Sequence, residues 1–332
     1  MRVLLMFPGQ GSQAVGMAAW LLDHPRAALL FERAEDVLGW DVLRVCLDGP
    51  SERLTRTDIA QPAIFVTSLA TWIVLAEAIG VCVAGDTVGR DTDFHPGPLL
   101  DDVVMVGHSL GDYSALVACG HLKFEDALRV VARRGRAMQA CGEQRAGGMM
   151  AVLGMSDEQV AALCAQVVDV WPANYNCPGQ VVVSGSMEGL GRFAELARGS
   201  GAGAKVVPLR VSGAFHSPLV AAATAEVAAA LDETAIHAGA HGVFFSTTEV
   251  RPLVAELVRE AMIAQLTSPV RFGPSVASLR PSVDLAVEVG PGKVLSGLVR
   301  RIDRSLSVCS TDSAHGLEAA ARAWVGHGEV QE

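Results

Sequence analysis

The pentapeptide Gly107-His108-Ser109-Leu110-Gly111 narrows the possible folds of this chain more than any other feature. It follows the apolar run Val103–Val106 and precedes the helix-like stretch Tyr113–Cys119. In that strand–turn–helix setting a G-x-S-x-G run becomes a nucleophile elbow. Glycine on either side lets the chain turn sharply without a Cβ clash. The Ser109 hydroxyl is then presented at a helix N-terminus, where unpaired backbone N–H groups favour developing negative charge. The competing reading is an ordinary glycine-flanked turn. The strand before it and the helix after it favour a nucleophilic serine.

An elbow of this kind requires a buried parallel strand, and the rest of the chain is patterned accordingly. Val3–Phe7 reads as a strand closed by the turn Pro8-Gly9-Gln10-Gly11, with further strands at Gly242–Phe245 and Leu285–Val289. Helical patterns cover Ala60–Ala78, Phe124–Met138 and Val294–Ile302. Alternation of this kind is that of an α/β protein with a parallel sheet. Residues 147–211 have a different rhythm, with strands expected at Met149–Leu153, near Val168–Trp171, at Gln180–Ser184 and at Lys205–Leu209. Ser156-Asp157-Glu158-Gln159 reads as a capping box opening one intervening helix, and Gly189–Ala197 as a second. The order β-α-β-β-α-β suggests a ferredoxin-like subdomain at 147–211, inserted into a large domain made of 1–146 and 212–332. A site in the cleft between the two is expected. Ala84 to Asp102, rich in Gly, Pro and Asp, reads as an exposed loop without metal-ligand spacing.

Half of the 332 residues are hydrophobic and only 19% are charged, which excludes a disordered chain and provides for a sizeable core. The formal charge of −10 is spread along the chain. That argues against nucleic-acid binding and against adhesion to an anionic membrane. No uninterrupted apolar run approaches the length of a spanning helix, and no secretory signal is apparent. The seven cysteines are scattered without C-x-x-C spacing, which fits reduced thiols in a cytoplasm.

A nucleophilic serine needs a base. Among nine histidines, His216 in Ser212-Gly213-Ala214-Phe215-His216-Ser217 is a candidate, because it follows the last strand of the small subdomain at a strand-to-helix junction. His108, beside the serine, reads as a packing or elbow-stabilising residue. Arg134 is the other anomaly. On the Phe124–Met138 wheel it falls on the same side as Phe124, Ala127, Leu128, Val131 and Met138, whereas Arg133 and Arg136 point away. A cation on an inward stripe needs an anion. Two readings stand: an internal salt bridge, or a bidentate receptor for a substrate carboxylate.

Several segments together resemble the malonyl-CoA:acyl carrier protein transacylase family, which includes the acyltransferase domains of polyketide synthases. They are Phe7–Gln13, Gly107–Ser114, Arg134-Gly135 ahead of Met138-Gln139, and Gly213–Ser217. Asn174-Tyr175-Asn176, Pro178-Gly179-Gln180 and Glu288–Leu295 add to the likeness, which spans nearly the whole chain. The resemblance implies a hydrolase-like α/β core plus a ferredoxin-like subdomain. It implies that Ser109 carries the acyl group and that His216 is the general base. Backbone N–H groups of Gln10 and Leu110 would meet the oxyanion, and Arg134 would pair with the malonyl carboxylate. The segment around Gln265 would orient His216, and Asn176 would belong to the surrounding hydrogen-bond shell. Phe215 just before the histidine goes with malonyl rather than α-branched acyl groups.

The implied substrate is malonyl-CoA and the implied partner an acyl carrier protein, with no metal or redox cofactor. A monomer is expected. Asp112 departs from the family, which commonly has Glu after the elbow. Both partners are anionic, so attraction must come from local cations. Lys293, Arg300, Arg301 and Arg304 are candidates for carrier docking, with Arg300 and Arg301 foremost, against the plain reading of a solvated helix face. Two other functions remain open within the likeness: a hydrolase clearing acyl groups from carrier proteins, and a malonyl-loading subunit of malonate decarboxylase. A noncatalytic scaffold is a further alternative.

Overall fold

The computed structural model describes residues 2–81, 102–200 and 203–326. The Ala84–Asp102 stretch lies outside the described residues apart from Asp102. Among the described residues ten strands form two sheets. In chain order they are β1 (Val3–Phe7), β2 (Val103–Gly107), β3 (Gly147–Leu153), β4 (Val170–Cys177), β5 (Gln180–Ser186), β6 (Lys205–Pro208), β7 (Val243–Ser246), β8 (Arg251–Pro252), β9 (Leu285–Glu288) and β10 (Ser307–Ser310).

The larger sheet has the order β10-β9-β1-β2-β7-β8, parallel except where β8 returns against β7. Every residue of β1, β2 and β9 is buried, as expected of central parallel strands covered by helices on both faces. β1 and β2 run in register, Phe7 beside Gly107, so the turn after β1 and the elbow after β2 emerge side by side. The short strands β8 and β10, at the two edges, carry too little periodicity to be read from sequence.

The helix Thr57–Ala78 packs among other helices, chiefly Phe124–Gln144 and Pro25–Leu38. Its sequence is apolar all round, because it is buried on every side rather than on one stripe. By length and composition it could cross a membrane, but 94% of its most apolar window is covered by the rest of the protein. Its few polar residues matter for that reason. Thr57 and Gln61, four apart and one above the other at its N-terminal end, are both buried.

The smaller sheet is antiparallel with the order β4-β5-β3-β6. The helix Asp157–Cys164 lies between β3 and β4, and Met187–Gly199 between β5 and β6. The expected capping box is formed: Ser156 Oγ accepts from Gln159 N–H, and the Gln159 side chain accepts from Ser156 N–H. β4 is displaced from the expected Val168–Trp171. Val168 is exposed, Asp169 turns the chain at φ 60°, and the strand runs on to Cys177. Pro172 offers no N–H, and a register shift between Pro172 and Asn174 accommodates it.

Backbone hydrogen bonds help to join the smaller sheet to the rest. Val270 N–H donates to Ala173 O and Tyr175 N–H donates to Val270 O, each at 2.8 Å, so β4 is laced to the segment that follows the helix Ala255–Gln265. Gly142, near the end of the helix Phe124–Gln144, passes against Ser212, where a Cβ would collide with the Ser212 carbonyl oxygen. That close approach sets the chain returning from β6 beside the helix that carries Arg134. On the far side, buried Glu288 accepts from Leu295 N–H at 3.0 Å and Ser296 N–H at 2.7 Å. It thereby caps the helix Val294–Ile302 and shapes the Gly290-Pro291-Gly292 turn that packs on Pro8.

Candidate active site

The elbow forms as its sequence requires. A Cβ on Gly107 would collide with the backbone of Gly111 and Asp112, and one on Gly111 with the Phe7 carbonyl oxygen. Ser109 itself sits at φ 55°, a left-handed conformation that costs on the order of 1–3 kcal/mol in a non-glycine residue. His216 has φ 58°. The two strained residues face each other, with Ser109 Oγ 2.8 Å from His216 Nε2.

The partners of His216 settle its tautomer. Nδ1 lies 2.9 Å from the Gln265 carbonyl oxygen and 3.2 Å from that of Ser268. Both are acceptors only, so Nδ1 carries the proton and Nε2 is a bare acceptor for the serine hydroxyl. Burial, then the positive charge of Arg134, holds the imidazole down to about 3, so the ring is neutral in the neutral pH range. It is the backbone of the Gln265 segment, not the Gln265 side chain, that orients the histidine.

Arg134 is 1% exposed and makes no ion pair among the described residues. The salt-bridge reading of this residue therefore falls. Its guanidinium donates to neutral acceptors instead: one nitrogen to Gln61 Oε1 at 2.7 Å, the other to Ser109 Oγ at 3.0 Å and Gln265 Oε1 at 3.1 Å. The cation lies over the Tyr113 ring, 5.6 Å from its centroid, and Nε has no acceptor. Arg134 is thus a desolvated cation met only by dipoles among the described residues, and one of them is the Ser109 hydroxyl.

Gln10 and Leu110 flank the serine from the two adjacent strand ends. The Gln10 side chain donates to Thr57 Oγ1 at 3.2 Å, and Thr57 Oγ1 in turn lies 2.7 Å from Ser212 Oγ. Neither the Gln10 nor the Leu110 backbone N–H has a hydrogen-bond partner among the described residues, whereas those of Gly111 and Asp112 are satisfied inside the elbow. Phe215 is buried beside His216. Asn176 on β4 reaches the elbow through His108, whose Nε2 lies 2.9 Å from Asn176 Oδ1. His108 is thus an elbow-stabilising residue, as its sequence position suggests.

The cations of the C-terminal stretch stand apart from this cluster. Arg301 donates to Gln180 Oε1 at 2.6 Å and Pro178 O at 3.4 Å, Arg300 to Val308 O at 3.0 Å, and Lys293 pairs with Asp312 at 3.3 Å. Among the described residues no group of three or more His, Cys, Asp or Glu could hold a metal ion.

Sequence reasoning passed over Gln61 and gave Asp112 no role. Gln61 had a signal, an amide four positions after Thr57 in a mostly apolar helix. Asp112 is buried, and its carboxylate accepts from Gly107 N–H at 3.1 Å and Gln265 Nε2 at 2.6 Å. Burial pushes this carboxyl up to about 7, against the pull of those two hydrogen bonds and of Arg134.

Comparison with known proteins places these features. The acyl transferase domain family matches residues 4–92 and 94–317. The malonyl CoA-acyl carrier protein transacylase of Bacillus subtilis is 36% identical over 325 residues, 96% of each chain. That of Escherichia coli is 33% identical over 320 residues, 95% of this chain and 97% of the other. The crystal structure of the malonyl-CoA:acyl carrier protein transacylase from Xanthomonas oryzae has a TM-score of 0.87 at 33% identity, covering 98% of this chain and 99% of that one. A type II polyketide synthase acyl carrier protein in complex with its malonyl-transacylase gives 0.86 at 33% identity, covering 97% and 100%. With its elbow, bare imidazole and buried guanidinium set in a fold shared over nearly its whole length, the chain belongs to the acyl transferase domain family.

Proposed function

We propose that this chain is an acyltransferase that moves a malonyl group from malonyl-CoA to the phosphopantetheine thiol of an acyl carrier protein, in fatty-acid or polyketide biosynthesis. One observation carries the reading: Ser109 Oγ lies within hydrogen-bond distance of both the bare His216 Nε2 and the Arg134 guanidinium. Nucleophile, base and carboxylate receptor thus converge on one oxygen. A hydrolase of plain acyl groups has no use for a buried guanidinium there.

His216 takes the Ser109 proton as the hydroxyl attacks the thioester carbonyl. The Gln10 and Leu110 N–H groups stabilise the tetrahedral oxyanion, and coenzyme A leaves as its thiol after His216 returns the proton. The carrier thiol then attacks the malonyl-serine through the same steps. A thioester is exchanged for a thioester, so the chemistry calls for no metal or redox cofactor. During both halves Arg134 pairs with the distal carboxylate, and Phe215 narrows the space beside the acyl Cα. Gln265 holds His216 through its carbonyl, and Asn176 supports the elbow through His108.

The architecture suits this chemistry. The six-stranded unit, 1–146 with 212–332, is a hydrolase-like core, and 147–211 a ferredoxin-like subdomain. The sheet order β4-β5-β3-β6 with two intervening helices supports the second assignment. A monomer is the working unit of this reading, and sedimentation at assay concentrations reads it. The six described cysteines are all unpaired, in keeping with a cytoplasmic location.

Intact-mass measurement after incubation with malonyl-CoA tests the function directly. A single malonyl adduct is expected, discharged by an acyl carrier protein and absent in Ser109→Ala. An adduct that persists in that variant displaces the nucleophile. Arg134→Ala is expected to lose about 2–5 kcal/mol of malonyl transfer while acetyl transfer is spared. Steady-state kcat/KM with both substrates reads the difference, and equal losses refute a carboxylate receptor.

The base is active when neutral, and its depressed value keeps it neutral to low pH. Single-turnover acylation by acetyl-CoA, which does not call on Arg134, is therefore expected to stay flat as pH falls through 6.5, the ordinary histidine value, and down to about pH 5. An acid limb centred near the ordinary value contradicts the buried-imidazole account. Arg300 and Arg301 are proposed to guide the acidic carrier. Reversing both to Glu should slow transfer to the carrier protein more than transfer to free pantetheine, and equal slowing removes them from docking.

A further inference from the structure

Asp112 is the carboxylate directly behind the nucleophile, and nothing in the transfer chemistry uses it. One oxygen accepts from Gly107 N–H at 3.1 Å and the other from Gln265 Nε2 at 2.6 Å. The same Gln265 amide nitrogen also donates to Ser109 O at 3.0 Å, while its oxygen accepts from Arg134 at 3.1 Å. With Asp112 ionised, as it is above its raised value of about 7, the Gln265 carboxamide is clamped between a carboxylate that only accepts and a guanidinium that only donates. Turned over, it would set its NH2 against the guanidinium and its oxygen against the carboxylate. Both contacts would then be repulsive in a site with no solvent to relieve them.

We infer that Asp112 is a positioning residue for the carboxyacyl substrate: by holding the Gln265 amide in one orientation, it fixes the Arg134 guanidinium where the distal carboxylate must land. The inference rests on the reading of Arg134 as carboxylate receptor. Two further features fit. Arg134 has three neutral acceptors, Gln61, Ser109 and Gln265, and Ser109 Oγ must turn from it to attack, so Gln61 and Gln265 alone hold the guanidinium through the reaction. The carboxylate itself is anchored to the elbow glycine, so the clamp is built on the turn that aims the nucleophile. Asp112 also lies too far from Arg134 to pair with it directly, which leaves the guanidinium open to the substrate's anion.

The test is Asp112→Asn, nearly the same shape but able to donate, so that the amide is no longer held. At pH 8 the expected result is a malonyl kcat/KM lowered about ten- to a hundredfold with acetyl transfer changed by less than about threefold. Asp112→Glu, which keeps an acceptor-only group, is expected to recover most of the malonyl preference. Equal losses on malonyl and acetyl in Asp112→Asn would mean that the residue merely braces the elbow, and would overturn the proposal.

Gln265→Met provides a second arm that does not depend on the Asp112 variant folding. It should reduce the malonyl-to-acetyl ratio by a similar factor, and the double variant should be no worse than either single one. An unchanged ratio in Gln265→Met, or additive losses in the double variant, sinks the clamp. If Arg134→Ala itself lowers malonyl and acetyl transfer alike, the receptor reading fails and the clamp with it. If Arg134→Ala discriminates and Asp112→Asn does not, only the clamp fails.

Discussion

A guanidinium buried without a counter-ion is the constraint around which this molecule is arranged. Desolvating a cation costs several kcal/mol even after relaxation, and a neutral dipole returns only part of that. The fold meets the cost with several dipoles at once: Gln61 from the long buried helix, Gln265 from the helix after β8, and the Tyr113 face from the elbow helix. No one segment of the chain could supply them. The helix Phe124–Gln144, the close pass at Gly142 and the lacing of β4 to Val270 are what bring those segments together.

The same arrangement explains why His216 is oriented by carbonyl oxygens. A carboxylate at Nδ1 would raise the basicity of the ring, but it would also bring a full anion into the buried site that holds Arg134. It would compete with the substrate for the guanidinium. Two backbone carbonyls, from Gln265 and Ser268, fix the tautomer without adding charge. Burial, and after it the Arg134 charge, keeps the imidazole neutral, and an imidazole that resists protonation leaves Nε2 free for the serine.

Much of this was legible from local sequence. The elbow is a local structure, since two glycines with a preceding strand and a following helix leave little freedom, and Ser109 stands where they put it. Arg134 betrayed itself by helical phase, because a charge on an apolar stripe can be counted without knowing the fold. The capping box at Ser156 and the four central strands were equally local. What escaped reading is tertiary in origin. β4 continued through Pro172 because a register shift absorbed the missing donor, and the edge strands β8 and β10 exist by pairing rather than by periodicity. Gln265 could be placed near His216 only by likeness. That its carbonyl serves the histidine while its amide serves the arginine follows from where a helix ends.

Asp112 shows why one-residue departures at such a site carry physical content. An aspartate in the first turn of the elbow helix is short enough to reach back to Gly107 N–H and still meet the Gln265 amide. The side chain therefore ties the strand end, the helix start and the 265 segment into one unit. Its charge is separated from that of Arg134 by a single carboxamide, a dipole whose two ends satisfy opposite demands. On the proposed reading of Arg134 as carboxylate receptor, the substrate's charge would meet the guanidinium while the protein's own anion stays behind the amide. Anion, amide and cation thus stand in line, and the buried guanidinium keeps its charge unpaired beside Ser109 Oγ.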